Sequence, residues 1–191
     1  MIFFGIKPSS NKYDFFLSNT ERDRAKSFVS SMGDKIKIGI NIEGSFPEKS
    51  IQKKELDQIC RGLYSHCSNI KIVILASSNQ IIKKQKMISE LGLDYVIPSY
   101  TTETIIDAAA IVEQLDLIIT PDTSIVHIAS SFDKPVVSIH ENNKDSFRLW
   151  SPSSTLSKTI FATSRYGLVD YSVNDIVKSA VDIIKTIESD I

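Results

Sequence analysis

At 191 residues, 42% of them hydrophobic and with a formal net charge of −1, the chain is long enough to bury roughly 70% of its unfolded surface in one soluble domain. The balanced charge offers no basic field to nucleic acid or to an anionic membrane, so an anion has to be bound by local geometry. Cys60 and Cys67 recur at helical spacing, about 10 Å apart along the axis, too far for a disulfide, which fits a reducing compartment. The amino end, Met-Ile-Phe-Phe-Gly-Ile-Lys-Pro, lacks a basic leader, and no apolar run reaches the roughly 20 residues of a spanning helix. These features together predict a cytoplasmic protein.

In chain order, Pro8-Ser9-Ser10-Asn11-Lys12 reads as a linker into an aromatic patch of Tyr13, Phe15, Phe16 and Leu17, whose apolar groups need a partner surface. After a cap at Asn19-Thr20, residues 21–32 carry Ala25, Phe28 and Val29 on one side, which predicts an amphipathic helix ending near Gly33. Ile36 to Ile42 is the first core strand, followed by the polar loop Glu43 to Ser50. Leu56, Ile59, Cys60 and Leu63 mark the face of a helix from Ile51 to about Cys67. A second strand, Lys71 to Ala76, runs into Ser77-Ser78-Asn79, and a helix covers about Gln80 to Leu91. Tyr95 to Ile97 is a third strand, and Thr101 to Thr104 can cap a helix carrying Ile105, Ile106, Ala109, Val112 and Leu115.

Leu117 to Thr120 is a β-branched run that Pro121 stops, and Asp122-Thr123-Ser124 then offers three helix-capping residues in succession. Ile125, Ile128, Ala129 and Phe132 keep helical spacing until Lys134-Pro135, after which Val136 to Ile139 is a buried strand. From Glu141 to Ser154 the sequence reads as a loop with an aromatic anchor at Phe147, Leu149 and Trp150. Thr159 to Ala162 reads as an edge strand, and Ser172 with Asp175 opens a final amphipathic helix through Ile184. Strict alternation of strands and helices predicts an α/β fold: a Rossmann-like parallel sheet covered on both faces, with a ligand edge of loops.

A ligand on that edge would meet Ser45 to Lys49, Ser77 to Asn79 and Asp122 to Ser124. Lys49 supplies a compact charge, Ser45 a hydroxyl, and the helix from Thr123 a dipole worth about 0.3 to 1 kcal/mol per exposed charge, a combination that suits a diphosphate. Each has a plainer reading: Lys49 as a solvated surface lysine, Asp122 as an N-cap rather than a carboxylate aimed at sugar hydroxyls, His127 as a core histidine rather than a phosphate donor. Three histidines and two cysteines without ligand spacing give no support to zinc. Gly39 and Gly44 are isolated, so there is neither a Walker loop nor a dinucleotide fingerprint.

Thr120-Pro-Asp-Thr-Ser-Ile-Val-His-Ile-Ala, followed by Lys134-Pro-Val-Val, resembles the Asp-Ser/Thr-Gly-x-x-His-x-Ala…Lys-Pro-Val-Val signature of glycosyltransferase family 9, the ADP-heptose:lipopolysaccharide heptosyltransferases. Asn41-Ile-Glu-Gly-Ser-Phe-Pro-Glu-Lys is similar to the family's Pro-Gly-Ser/Ala…Lys loop, the segment from Thr101 to its Thr-Ser-Leu-x-Glu segment, and Trp150-Ser-Pro152 to its late Trp-x-Pro. The likeness covers about residues 13–187. It implies the donor-binding half of a GT-B fold, here residues 36–191, with residues 1–35 a linker and helix from an amino-terminal acceptor domain. It further implies a nucleotide-sugar donor, ADP-heptose by analogy, no metal, no nucleic acid, a lipopolysaccharide or related glycan acceptor, and a place at the inner face of the inner membrane.

Carried over by position, Ser45 and Lys49 would hold the diphosphate, Asp122 the sugar, Thr123, Ser124 and His127 the phosphate side, while Thr102 and Glu103 would sit near the nucleobase. The catalytic base would come from the amino-terminal half, so no catalytic residue is expected in this chain. Two departures stand out: Ser124 replaces the family's usual Gly, and the stretch after His140 lacks a Gly-Pro-Thr-like turn. The rival from another class is a non-catalytic, nucleotide-responsive or interaction module. An epimerase or hydrolase is disfavoured because the sequence places no second carboxylate in the crevice.

Overall fold

The computed structural model describes residues 14–78 and 80–189. The expected linker Pro8 to Lys12, Tyr13, and Asn79 of the second loop lie outside the described residues.

Among the described residues six strands, β1 (Ile36–Asn41), β2 (Ile70–Leu75), β3 (Val96–Pro98), β4 (Leu117–Pro121), β5 (Val136–His140) and β6 (Ser157–Phe161), form one sheet in the order β3-β2-β1-β4-β5-β6. Every pairing is parallel. The helices are α1 (Asn19–Ser30), α2 (Lys53–His66), α3 (Ile81–Leu91), α4 (Ile105–Gln114), α5 (Ser124–Ser131), α6 (Lys144–Trp150) and α7 (Val173–Ser189).

Strand side chains alternate between two cores, as the pleat requires. Ile38, Ile40, Ile72, Ile74, Leu117 and Ile119 pack with Leu56, Ile59 and Leu63 of α2 and Ile176, Ala180 and Ile184 of α7. Val73, Leu75, Ile118 and Val136 face the other way, against Ala25 and Val29 of α1, Ala109 to Val112 of α4, and Ile128 and Ala129 of α5. Each such aliphatic side chain contributes about 1.5–3 kcal/mol on burial, which is why the β-branched runs dominate the register. On the second face Gly39 leaves room for α4, since a Cβ there would stand 2.6 Å from Cδ1 of Leu115.

Three local expectations change, and one choice left open among three capping residues is made. Ser18, not Asn19-Thr20, caps α1: the Glu21 carboxylate accepts from the Ser18 amide at 2.9 Å and from the Ser18 hydroxyl, so Asn19 and Thr20 fall inside the helix. β4 continues through Pro121, in register with Ile139, because the next amide, Asp122 N–H, supplies the bond to the Ile139 carbonyl at 2.9 Å. The cap of α5 is Thr123, whose Oγ1 accepts from the Ile125 amide at 3.3 Å; Asp122 turns to His140 instead. Finally, the aromatic-anchored loop contains a helix, α6, started by Asn143 Oδ1 accepting from the Ser146 amide at 3.2 Å. Its seven residues are short for a periodic signal, and none is buried, so neither hydrophobic spacing nor a core face announced it.

The sheet positions a site through its order. From β1 the chain winds outward through β2 and β3, then returns to β4 on the other side of β1 and winds through β5 and β6. Loops leaving the carboxyl ends of β1 and β4 therefore diverge to opposite faces and leave a crevice between them.

Candidate functional site

At that switch point lies a cavity of about 460 Å³. Its walls come from the end of β1 and the loop after it (Asn41, Glu43, Gly44, Ser45), the end of β2 with its loop, the start of α4 and the start of α5. Of the residues expected from sequence, Ser45, Thr102, Glu103, Thr123 and Ser124 line it. Leu75, Ala76, Ile105, Ala108 and Ile125 provide an apolar surface suited to a planar ring.

Asn41 organises the floor. It ends the apolar run of β1 and is 6% exposed. Its Nδ2 donates to the Glu43 carbonyl at 3.0 Å, Thr120 Oγ1 at 3.1 Å and Thr123 Oγ1 at 3.2 Å, while its Oδ1 accepts from the Glu43 amide at 3.2 Å. The β1 loop and the α5 start are thus tied into one frame. A buried polar residue at the end of a core strand was the available signal for it.

Ser124, in the place of the family's glycine, is the first residue of α5; the described non-glycine residues at positive φ are Asp133 and Asp170. The backbone there is unstrained. Its side chain is exposed at the helix start, where N–H groups and the dipole favour an anion. Thr102 is 7% exposed and donates its hydroxyl to the Ala76 carbonyl at 2.8 Å, so it stitches the β3–α4 loop to β2.

Lys49, Asp122 and His127 do not line this cavity. They stand on the same carboxyl edge toward β5. Lys49, the last residue of a 3₁₀ turn spanning Pro47–Lys49, holds its ammonium 2.9 Å from Oε2 of Glu141, just past β5. Glu141 also accepts from the Gly167 amide, and the Leu168 amide donates to the Glu48 carbonyl at 2.8 Å. Asp122 Oδ2 is 3.4 Å from Nδ1 of the buried His140, whose ring meets Phe147 edge-on and Phe161 at a tilt. The His127 ring packs edge-on against Trp150 of α6, with centroids 5.6 Å apart. Burial pushes the His127 imidazole below its usual range, the Asp122 charge opposing and His140 adding to the effect.

Two carboxylates, Glu43 and Glu103, line the crevice where the sequence placed no second one. Glu43 escaped notice because it sits in a polar loop; its partner Lys84, in the run Lys83-Lys84-Gln85-Lys86, looks like a solvated helix face. The structure instead buries Lys84, with Nζ 2.9 Å from Glu43 Oε1. Among the described residues no His, Cys, Asp and Glu group could hold a metal ion, and no helix is long and apolar enough to cross a membrane.

Known proteins share this architecture. The crystal structure of the glycosyl transferase family 9 from Veillonella parvula superposes with a TM-score of 0.79 at 20% identity, over 97% of this chain and 57% of that one. Escherichia coli ADP-heptose lps heptosyltransferase II gives 0.74 at 16% identity, over 95% and 56%. In sequence, the Escherichia coli (strain K12) protein named "Putative lipopolysaccharide heptosyltransferase 4" is 24% identical over 182 residues, 91% of this chain and 45% of that protein. The chain thus spans about half the length of the relatives it matches. The model of glycosyltransferase family 9 (heptosyltransferase) matches residues 2–166, well over half of the sequence. On that match, and with the doubly wound sheet and edge crevice that accompany it, the chain belongs to glycosyltransferase family 9.

Proposed function

We propose that this chain is the nucleotide-sugar-binding part of a glycosyltransferase that transfers a sugar, heptose from ADP-heptose, to lipopolysaccharide core or a related glycan. The observation that carries the reading is the crevice at the β1/β4 switch point, lined by the polar Ser45, Thr123 and Ser124 together with an apolar surface of Leu75, Ala76, Ile105, Ala108 and Ile125, in a family 9 chain. That surface takes the nucleobase, beside Thr102 and Glu103. The start of α5, the hydroxyls of Ser45 and Thr123, and Lys49 beyond them take the diphosphate without a metal, with His127 beside them and Asp122 toward the sugar.

In the reaction an acceptor hydroxyl attacks the anomeric carbon while the bond to the diphosphate oxygen breaks, with inversion. The departing nucleoside diphosphate leaves with its charge stabilised by the helix dipole and Lys49. The proton of the hydroxyl goes to a base in the amino-terminal half, with residues 1–35 as the connection to that half. The reaction belongs on the cytoplasmic side of the membrane, where nucleotide sugars are made.

Calorimetry with ADP, UDP and GDP, without added metal, tests the site: ADP is expected to bind in the micromolar range. Absence of binding by all three up to the order of 1 mM, about −4 kcal/mol, would overturn the reading. A second reading, a non-catalytic nucleotide-responsive module, draws support from the Lys49–Glu141 pair, which occupies the diphosphate's cation. Sugar transfer by the chain joined to its native upstream half decides between the two.

A further inference from the structure

The stretch of crevice wall from Thr102 to Ile105 is gripped at both ends by one side chain of α1. Arg24 donates from one guanidinium nitrogen to the Thr101 carbonyl at 3.3 Å and from the other to Asp107 Oδ1 at 3.5 Å, and its central carbon lies 4.2 Å from the centre of the Tyr100 ring. Tyr100 meets Phe28 of the same helix edge-on, with centroids 5.4 Å apart, and its hydroxyl donates to the Asp107 carbonyl at 3.4 Å. Asp107 passes the grip on to the wall: its Oδ2 accepts from the amides of Glu103 at 3.0 Å and Thr104 at 2.9 Å. On the inner side the Thr102 hydroxyl donates to the Ala76 carbonyl and the Ser78 amide to the Thr102 carbonyl at 3.1 Å. The wall therefore hangs between the sheet and α1.

Stability does not require this arrangement. The Arg24 side chain is 52% exposed, and an ion pair that open to solvent contributes little. α1 is already seated by Ala25 and Val29 in the core and by Arg22, whose Nε meets both Glu113 oxygens at 3.0 and 3.2 Å. What Arg24 adds is geometry. A planar fork can lie over a ring and reach two acceptors at once, which the point charge of a lysine cannot do. Burial would raise the Asp107 carboxyl, but the Thr104 and Glu103 donors and the Arg24 charge hold it below its usual range, so it stays an acceptor for both sides.

The wall flanks the apolar surface read above as the base site, and α1 lies within residues 1–35, read above as the connection to the amino-terminal half. Arg24 itself does not line the crevice. Resting on that reading, we propose that Arg24 is a positioning residue that joins the base-side wall to α1, so that nucleotide binding and the setting of α1 are linked. Such a linkage is reciprocal: if the nucleotide steadies α1, a displacement of α1 lowers nucleotide affinity by the same factor.

The test uses the full chain and whichever of ADP, GDP and UDP binds tightest, titrated beside its nucleoside. Arg24→Ala is expected to weaken both forms by a common factor of about three to ten, while the thermal midpoint moves by no more than about 2–4 °C. Arg24→Lys keeps the charge without the fork and should lose affinity with it. Full affinity in either variant overturns the proposal, and so does a loss confined to the diphosphate form. Amide hydrogen exchange reads what a merely structural contact would not move. In the unmodified chain nucleotide should slow exchange at Glu103 and Thr104 and along α1; in Arg24→Ala the change along α1 should vanish while that in the wall remains. An α1 that does not respond to nucleotide in the unmodified chain overturns the proposal and leaves the nucleotide site standing, whether or not the variants fold. If no nucleoside diphosphate binds the unmodified chain, the site reading fails, and this inference with it.

Discussion

The Lys49 ammonium and the Glu141 carboxylate are 92 positions apart in sequence and 2.9 Å apart in space. With side chains 31% and 16% exposed, the pair is half in solvent. A diphosphate that uses Lys49 has to displace or share that carboxylate. Removing the competitor by Glu141→Gln should tighten nucleoside diphosphate binding about two- to fivefold, the scale of a partly exposed pair. Lys49→Ala should weaken ADP about tenfold while leaving adenosine nearly unaffected. Paired titrations of ADP and adenosine on both variants check this, and weaker ADP binding in Glu141→Gln would show that Glu141 aims Lys49 rather than competing for the diphosphate.

Gly44 is the tightest point of the crevice loop. A Cβ there would lie 2.1 Å from the Lys49 carbonyl oxygen, a backbone atom that cannot swing aside. Gly44→Ala therefore has to open the 44–50 turn, which moves Ser45 and Lys49 together. The two layers of core are remote from it, so the thermal midpoint should fall by only about 2–4 °C per kcal/mol lost. Nucleotide affinity should fall by at least about tenfold. A scanning melt and a titration on the same sample separate the two effects.

His127 carries a pH dependence whose sign follows from its burial. Its folded-state value is held below the ordinary one by desolvation, against the pull of Asp122. The unfolded chain then binds more protons, so this contribution to stability is complete above about pH 6.5 and is lost as pH falls from there through the folded value. Melts between about pH 7.5 and 5 should show a falling midpoint, and His127→Gln should flatten part of that slope. A bound diphosphate would favour the charged ring, so titration below neutrality should be accompanied by proton uptake, visible as a dependence of the measured heat on buffer ionisation enthalpy.

The two thiols differ in reach. Cys60 is fully buried between α2 and the sheet, and burial raises its thiol to about 12, while Cys67 at the end of α2 is partly exposed. Reaction follows the thiolate and access to it. Ellman's reagent at about pH 8 should therefore modify Cys67 alone in the folded protein and both residues in denaturant. Prompt release of two equivalents under native conditions would show that the α2 face opens.

The strands were legible because each core stretch is a β-branched run bounded by turn residues, and burial on both faces of a parallel sheet demands such runs. The start of α5 was legible too, since Thr123 precedes apolar residues at helical spacing. Which of three adjacent capping residues does the capping was not. Asp122, Thr123 and Ser124 are chemically alike in that role, and the choice went to Thr123 once Asp122 found His140 on the neighbouring strand. α6 stayed hidden for a related reason: a seven-residue helix without a buried residue leaves no apolar period behind.

Local pattern by itself determined that this protein is a doubly wound α/β sheet with polar loops at one edge, because apolar period and turn chemistry are properties of neighbouring residues. Tertiary structure alone decided which charges meet on that edge. Lys84 reads as one more surface lysine until β1 and β2 pair in register and bring Glu43 over α3, and Lys49 reads as free until β5 delivers Glu141. Side chains distant in sequence are joined by strand order, and the desolvation that gives a charge its chemical character exists only after the layers close over it.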